Sequence, residues 1–454
     1  MRKYFGTDGI RRIANTELSP ELVYKVAKAG AYVLSKHTNK APTILIGRDT
    51  RLSGTLIESA MVAGFLSYGA NVKLLEVIPT PGVAYLTRKL QADASVVISA
   101  SHNTFEFNGI KYFSNKGMKI PDEIEKEIEE VMDSGKLDEL TAVSEKIGVS
   151  EIRTDLLDEY VYFFRKNFDD NIAKFNRPDF KVVIDTANGA TYKVAEKVFS
   201  VLGINHVIIN NKPNGININD GCGSTHLEML KEYVVENKMS LGIAYDGDGD
   251  RCLAVDENGE EIDGDKLLAI ISEYLKKHGK LEKDTIVATV MSNLGLNKYA
   301  EKEQLQFIQT KVGDRYVLEE MLKNGYNLGG EQSGHIILLE YNPTGDGILT
   351  SLMLIQAILE SGKKSSELGN IVQKYPQVLI NAKVDSKKQQ DYKNDKEIKK
   401  VIEEVEKEFS GNGRVLIRPS GTEPLVRVMI EGKDTKAIEK RAREIADLIE
   451  EKCK

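Results

Sequence analysis

Short, largely apolar runs typical of strands alternate with longer helical segments along most of the chain, and this alternation constrains the fold more than any other feature. Within residues 1–150, runs at 43–47, 72–77 and 94–98 are separated by segments with apolar residues at helical spacing. Such alternation is typical of a sheet with mainly parallel strands and covering helices. The pattern recurs twice, so the sequence predicts three similar α/β domains at 1–150, 151–254 and 255–368.

The remaining segment, 369–454, has a different pattern. A strand, a highly charged helix, two strands joined by a turn and a terminal helix predict a smaller α+β domain. A chain of 454 residues is also too long for a single core, because domains usually contain about 100–150 residues.

The composition excludes several classes of protein. A net charge of −7 argues against nucleic-acid binding through bulk charge. No apolar run approaches the length of about 20 residues that a membrane span needs, and the first residues lack a signal-peptide core. The cysteines Cys222, Cys252 and Cys453 show no metal-binding, redox or disulfide spacing. We therefore expect a cytoplasmic protein that binds neither nucleic acids nor membranes.

Ser101 is the first candidate functional residue. The run at 94–98 ends abruptly in small and polar residues, S-A-S-H-N. Ligands of open α/β sheets bind beyond the carboxyl ends of strands, which makes Ser101 a candidate nucleophile. A serine in this position more commonly bonds its own backbone, and this stretch alone does not decide between the two interpretations.

Asp246, Asp248 and Asp250 alternate with glycines at the end of a predicted strand, Leu241–Tyr245. Carboxylates that converge on one loop suit a hard divalent cation, and a site completed by phosphate favours Mg²⁺. An EF-hand is a competing interpretation because Glu257 falls at the twelfth loop position, but Arg251 occupies the position that requires glycine. A plain acidic turn is the remaining alternative.

Two further loops carry polar groups. The segment R-P-S-G-T-E-P at 418–424, followed by Arg427, combines hydroxyls, a glycine and guanidinium groups that could hold phosphate. A hairpin-like turn capped by its own hydroxyls is the alternative. The segment G-G-E-Q-S-G-H at 329–335 presents groups that suit sugar hydroxyls, and His335 could act on a proton or a phosphate.

These four blocks, S-A-S-H-N, D-G-D-G-D-R, G-G-E-Q-S-G-H and R-P-S-G-T-E-P, occur in an order and at intervals that resemble the α-D-phosphohexomutase superfamily. The segments G-T-D-G-I-R, N-D-G-C-G-S-T-H and K-V-G-D-R-Y-V are similar to those of its bacterial phosphoglucosamine mutase branch. The resemblance covers essentially the whole chain. It implies three similar mixed α/β sheet domains and a smaller C-terminal α+β domain around one central cleft.

The resemblance also implies an isomerase that interconverts glucosamine 6-phosphate and glucosamine 1-phosphate. The reaction would use a phosphoserine and a 1,6-bisphosphate intermediate, with Mg²⁺ as cofactor and a sugar 1,6-bisphosphate as activator. Its product would supply UDP-N-acetylglucosamine for cell-wall synthesis. The expected partners are small phosphosugars, and a homodimer is left open.

By the same resemblance, each functional block supplies one part of the site. The transferring phosphoryl group would be handled by Ser101, Arg11, Lys111 and His335. The metal would be held by Asp246, Asp248, Asp250 and an oxygen of phosphorylated Ser101. The sugar would contact Glu331 and Ser333, and the distant phosphate would contact Arg418, Ser420, Gly421, Thr422 and Arg427.

Three residues near the serine loop depart from the superfamily pattern. Arg12 and Thr104 stand where glycine and proline are usual, and Phe107 replaces a common acidic residue. We expect these changes to alter the loop around Ser101 without removing a chemical group.

Two alternatives to this function are left open. One is a phosphomannomutase/phosphoglucomutase of the same superfamily, for which Gln332 is the discriminating position. The other is a non-catalytic phosphosugar sensor, which would be expected to lack the serine or an aspartate.

Overall fold

The computed structural model describes residues 3–6, 8–36, 40–175, 177–385, 387–420 and 423–454. The chain packs into two units, residues 1–291 with 305–371 and residues 292–304 with 372–454. No helix among the described residues is long and apolar enough to cross a membrane.

The first sheet has six strands in the order β1-β5-β4-β2-β3-β6. Its strands are β1 (Ile10–Ile13), β2 (Thr43–Arg48), β3 (Asn71–Val77), β4 (Ala94–Ile98), β5 (Phe107–Ser114) and β6 (Ser150–Ile152). Its helices are α1 (Pro20–Leu34), α2 (Gly54–Tyr68), α3 (Thr80–Lys89) and α4 (Asp122–Asp133). Strand β4 is buried along its whole length, as its run of apolar residues predicts. It therefore delivers Ser101 from the middle of the sheet.

The second sheet has five strands in the order β11-β10-β9-β7-β8. Its strands are β7 (Val182–Asp185), β8 (His206–Ile209), β9 (Leu241–Tyr245), β10 (Cys252–Asp256) and β11 (Glu261–Ile262), with helices α5 (Leu156–Phe175), α6 (Tyr192–Val201) and α7 (Glu228–Glu236). The aspartate loop joins β9 to β10. Because a strand and not a helix follows the loop, an EF-hand is excluded.

The third sheet has four strands in the order β13-β12-β14-β15. Its strands are β12 (Thr285–Thr289), β13 (Gln306–Thr310), β14 (Leu328–Gly330) and β15 (Ile336–Leu338). The helices of this part of the chain are α8 (Gly264–Lys277), α9 (Leu294–Lys302), α10 (Asp314–Asn324), α11 (Gly347–Ser361) and α12 (Ser365–Gly369). Of these, α9 belongs to the second unit.

The second unit is built on an antiparallel sheet of three strands in the order β16-β18-β17. Its strands are β16 (Gln377–Lys383), β17 (Gly413–Pro419) and β18 (Leu425–Gly432), and its further helices are α13 (Lys396–Glu408) and α14 (Thr435–Lys452). Buried Glu431 on β18 accepts hydrogen bonds from Leu294 N at 3.1 Å and Arg414 Nε at 2.9 Å. This carboxylate ties α9 to the C-terminal sheet.

The three larger sheets share one four-stranded core. In each sheet, the first strand of the core lies between two strands that run parallel to it. A fourth strand, here called the return strand, pairs antiparallel with whichever of these two neighbours comes later in the chain. The return strands are β5, β10 and β15, and the loops that precede them hold Ser101, the aspartates and Glu331. The predicted fold class, three mixed α/β sheets and a smaller C-terminal α+β domain, is confirmed.

Candidate active site

Ser101 lies just beyond β4 and is 2 % exposed. Its Oγ donates a hydrogen bond to Asp246 Oδ2 at 2.6 Å and lies 3.3 Å from His102 Nδ1. Burial, followed by the charge of Arg251, lowers the pKa of His102 to about 4, so its ring is neutral at ordinary pH. The loop therefore brings the predicted nucleophile against the predicted metal loop.

The three aspartates that follow β9 are all buried, and their nearest carboxylate oxygens lie within 4.8 Å of one another. Asp248 Oδ2 accepts hydrogen bonds from Thr80 Oγ1 at 2.8 Å and from Lys111 Nζ at 3.0 Å. The second oxygens, Asp248 Oδ1 and Asp250 Oδ1, are buried and have no hydrogen-bond partner among the described residues. Unsatisfied buried carboxylate oxygens are what a hard divalent cation would ligate.

The charges of this loop also favour a bound cation. Burial, together with the neighbouring Asp250 and Asp248, raises the pKa of Asp246 well above its ordinary value. Three buried carboxylates at this spacing repel one another, and all three ionise together only if positive charge compensates them. The donor set and the orphaned oxygens thus fit a divalent metal ion.

Lys111 supplies one fixed positive charge at this site. Its side chain on β5 is 2 % exposed, and Nζ lies 3.0 Å from Asp248 Oδ2, 3.1 Å from Asp8 Oδ2 and 3.9 Å from Asp250 Oδ2. Arg11 on β1 donates to Asp8 Oδ2 and to Asn103 Oδ1, each at 3.1 Å. Asp8 therefore pairs with both positively charged residues, Arg11 and Lys111.

A second ion-pair network extends from Asp8 toward the third sheet. Lys119 Nζ lies 2.5 Å from Asp8 Oδ1 and 2.6 Å from Asp314 Oδ2. Burial alone would raise the pKa of Asp8, but Lys111 and Lys119 outweigh it and hold that pKa well below its ordinary value. Asp8 is thus ionised and keeps the lysines in place.

The loop between β14 and β15 presents Glu331, Ser333 and His335. Glu331 Oε1 accepts a hydrogen bond from Gly313 N at 3.2 Å, and burial raises its pKa. The Ser333 Oγ is buried with no hydrogen-bond partner among the described residues. Both groups thus retain capacity to bind a hydroxyl-rich ligand.

His335 is held by both ring nitrogens. Its Nε2 accepts a hydrogen bond from Gly345 N at 2.9 Å, and its Nδ1 lies 3.5 Å from Asp250 Oδ2. A nitrogen that accepts an N–H bond carries no proton, so the ring proton lies on Nδ1, toward Asp250. In this arrangement His335 orients Asp250.

The predicted phosphate loop lies in the second unit, and Gly421 and Thr422 fall outside the described residues. Arg418 and Arg427 are direct cross-strand partners on β17 and β18. Burial, followed by the charge of Arg427, lowers the pKa of Arg418. Ser420 Oγ accepts a hydrogen bond from Glu423 N at 3.3 Å. Like charges opposite each other destabilise a sheet, and a bound anion would relieve this repulsion.

The first unit thus brings Ser101 together with seven other predicted residues, which the contacts above link directly or through Asp8, Lys119, Asp314 and Gly313. These seven residues are Arg11, Lys111, Asp246, Asp248, Asp250, Glu331 and His335. No sequence pattern pointed to a separate role for four residues of this site: Asp8, Lys119, Asp314 and Thr80. Asp8 and Asp314 stand in G-T-D-G-I-R and K-V-G-D-R-Y-V, so the signal for them was present in segments already singled out. Lys119 and Thr80 carried no such signal.

Comparison with known proteins gives four consecutive family matches. They are the phosphoglucomutase/phosphomannomutase alpha/beta/alpha domains I (residues 2–139), II (158–259) and III (263–375) and the C-terminal domain (379–448). The chain is 54% identical over 453 residues to the phosphoglucosamine mutase of Acetivibrio thermocellus, and the match covers 100% of both chains.

Two solved structures share the fold. A phosphoglucomutase/phosphomannomutase family protein from Burkholderia thailandensis superposes with a TM-score of 0.81 at 21% identity, covering 100% of this chain and 99% of the other. An N-acetylphosphoglucosamine mutase from Aspergillus fumigatus, in complex with GlcNAc-6P and magnesium, has a TM-score of 0.69 at 16% identity, with coverage of 99% and 96%.

Proposed function

The chain belongs to the phosphoglucosamine mutase branch of the α-D-phosphohexomutase superfamily, and we propose that it interconverts glucosamine 6-phosphate and glucosamine 1-phosphate. The enzyme is an isomerase of the intramolecular phosphotransferase type. Full-length identity of 54% to a phosphoglucosamine mutase supports the amino sugar as substrate. The product would supply UDP-N-acetylglucosamine for cell-wall synthesis.

The observation that carries this proposal is the hydrogen bond of 2.6 Å from Ser101 Oγ to Asp246 Oδ2. It sets a buried hydroxyl beside a carboxylate cluster that fits a divalent cation. A phosphoryl group on Ser101 would extend into a region lined by Lys111 and Arg11. Positive groups fixed in a buried site stabilise a phosphoryl group in transfer without having to reorganise.

The transfer step exchanges a phosphoryl group for a proton. The bond from phosphorus to Ser101 Oγ breaks, and a bond forms from phosphorus to a hydroxyl oxygen of the sugar phosphate. The hydroxyl proton ends on Ser101 Oγ, so a 1,6-bisphosphate and free serine result. The bisphosphate then turns over, and its other phosphate returns to Ser101 by the reverse exchange. Added sugar 1,6-bisphosphate would act as activator because it rephosphorylates free serine.

Asp246, Asp248 and Asp250, with an oxygen of phosphorylated Ser101, are the residues that would hold Mg²⁺. When bound, this ion supplies positive charge that offsets the charge of the transferring phosphoryl oxygens. Thr80 and Lys111 orient Asp248 through the hydrogen bonds described above. His335 orients Asp250 in the same way, which is its proposed part in the reaction.

The remaining predicted residues would bind substrate. Glu331 and Ser333 would contact the sugar hydroxyls or its amino group. The phosphate that is not reacting would be held by Arg418, Ser420, Gly421, Thr422 and Arg427. The facing guanidinium groups of β17 and β18 support this role, because two positive charges lie opposite each other there, and the ion pair of Arg427 with Glu423 Oε2, at 3.4 Å, leaves both able to bind phosphate.

We also propose that the boundaries 1–150, 151–254, 255–368 and 369–454 separate domains carrying the phosphoserine, metal, sugar and phosphate loops. The four consecutive family matches support this division. The cytoplasmic location and the homodimer stay predictions.

The decisive experiment compares kcat/KM for glucosamine 6-phosphate, glucose 1-phosphate and mannose 1-phosphate. Each assay contains Mg²⁺ and a catalytic amount of glucose 1,6-bisphosphate, and Ser101→Ala serves as the control. We expect a large preference for the amino sugar that is lost in the variant. A preference for glucose or mannose phosphate would assign the enzyme to the phosphomannomutase/phosphoglucomutase branch, and failure to phosphorylate Ser101 would favour a sensor.

A further inference from the structure

Ser101 has an unfavourable backbone conformation. Its φ of +52° lies in the left-handed region, which residues with a Cβ rarely adopt. The conformation turns the chain sharply after β4 and is accompanied by the short hydrogen bond from Oγ to Asp246. The surrounding structure must therefore hold this residue in place.

Arg51 holds the loop through its backbone. The side chain is fully buried, and its Nε pairs with Asp49 Oδ2 at 2.9 Å. One terminal nitrogen donates to Ser101 O at 2.9 Å and to Asn103 O at 2.8 Å. The other donates to the carbonyl oxygens of Thr104 and Phe107. A single guanidinium thus gathers four carbonyl groups of the nucleophile loop.

Asn219 binds the same loop from the second sheet's domain. Its Nδ2 donates to Ser101 O at 2.9 Å and to Asn103 O at 3.0 Å. Two side chains from different parts of the chain therefore converge on the carbonyl oxygen of the nucleophile. The Ser101 amide is fixed as well, because it donates to Ser99 Oγ at 2.9 Å, which in turn donates to Asp49.

These contacts bear on two of the three departures from the superfamily pattern, Thr104 and Phe107. Arg51 bonds the main-chain oxygens of Thr104 and Phe107 and makes no hydrogen bond to their side chains. A change of side chain at either position leaves the acceptor in place. The loop geometry is thus set by carbonyl groups.

We propose that Arg51 and Asn219 are positioning residues that hold Ser101 in the conformation in which its Oγ receives and donates the phosphoryl group. This role rests on the proposed function. Neither side chain is expected to touch substrate. Their loss should therefore slow phosphoryl transfer without weakening substrate binding.

The test uses the full-length variants Arg51→Lys and Asn219→Gly. Lysine keeps the charge beside Asp49 but cannot reach four carbonyl groups, and glycine accepts the φ of +58° at position 219 while removing the amide. The matched controls are Arg48→Lys, whose guanidinium pairs with Glu58, and Asn210→Gly, whose φ is +49°.

The primary readout is the single-turnover rate at which glucose 1,6-bisphosphate phosphorylates Ser101. This rate is measured from the mass of the intact protein over time. We expect both variants to lose about 100-fold in this rate and in kcat, with KM for glucosamine 6-phosphate unchanged, because a nucleophile displaced by about 1 Å reacts about 100-fold more slowly. The controls should retain wild-type rates.

The thermal midpoint separates positioning from a merely structural role. Variants that unfold at lower temperature but phosphorylate Ser101 at the wild-type rate would overturn the proposal. If Arg51→Lys does not fold, Asn219→Gly alone decides. Failure of wild-type Ser101 to accept a phosphoryl group would instead overturn the proposed function.

Discussion

Asp346 provides a pH-dependent test of the electrostatics of the first unit. It is fully buried at the N-terminus of α11, where Oδ1 accepts a hydrogen bond from Leu349 N at 3.0 Å. Its Oδ2 accepts from Tyr160 OH at 2.7 Å and from Asn342 Nδ2 at 3.2 Å. Burial outweighs these bonds and raises the pKa of Asp346 from 3.8 to about 6.

The difference between these pKa values corresponds to about 3 kcal/mol, at about 1.36 kcal/mol per pKa unit. Because the pKa is higher in the folded protein than in the unfolded chain, protonation favours folding. The resulting stability is fully present below pH 3.8 and is lost as the pH rises through about 6. Between about pH 8 and about pH 5, the folded state should gain about 1.4 kcal/mol from this group.

Asp346→Asn removes the titrating group and keeps a residue type that suits a helix N-cap. We expect the free energy of unfolding of the wild type, relative to this variant, to rise by about 1.4 kcal/mol from about pH 8 to about pH 5. This free energy is measured by urea unfolding at each pH, with pulsed hydrogen exchange in peptides from α11 as the probe. In Tyr160→Phe the same rise should begin at higher pH, because one bond that stabilises the ionised carboxylate is lost.

A difference between wild type and Asp346→Asn that is constant across this pH range would contradict the raised pKa of Asp346. A gain in the relative stability of the wild type as the pH rises would contradict it as well. The latter result would mean that the three hydrogen bonds to Asp346 outweigh the desolvation of its charge.

Four further outcomes are expected. Ser101→Ala should abolish turnover with an unchanged thermal midpoint, and substantial residual mutase activity would place the nucleophile elsewhere. Asp248→Asn should weaken Mg²⁺ binding, measured by titration calorimetry, and lower kcat; unchanged metal affinity contradicts the site. Lys111→Met should lower kcat by about 100- to 1000-fold, because a fixed positive charge beside the phosphoryl group is removed, and a kcat within the wild-type range would exclude that role. Arg427→Gln should raise KM for glucosamine 6-phosphate by about tenfold or more, because a charged contact to the phosphate is lost. The variant should keep its stability, since the repulsion between positions 427 and 418 is relieved. An unchanged KM would remove Arg427 from the phosphate site.

Local sequence patterns predicted strands such as β2, β4 and β9, because each is a short, largely apolar run that ends in a polar loop. The burial of β4 and β9 along their whole length follows from this pattern. The assignment of α9 to the C-terminal unit did not follow, because it depends on Glu431, which is distant in sequence. Periodicity reports which face of a helix is buried but not which sheet buries it.

The candidate site shows the same division. The aspartate loop could be interpreted from sequence because its three carboxylates lie in one short segment, 246–250. Lys119 could not, because its partners Asp8 and Asp314 are separated from it by 111 and 195 positions. The buried role of Arg51 was equally hidden, since its acceptors are main-chain oxygens that no side-chain pattern reveals.

The shared four-stranded core has a consequence for the history of the chain. Three sheets with the same strand order carry their functional residues at the same connection, before the antiparallel return strand. Descent from one ancestral domain that was copied twice would produce this correspondence. Each copy would then have kept the loop position and acquired a different proposed chemistry there: a nucleophile, a metal-binding cluster and a sugar contact. The active site would thus have evolved by specialisation of one inherited position.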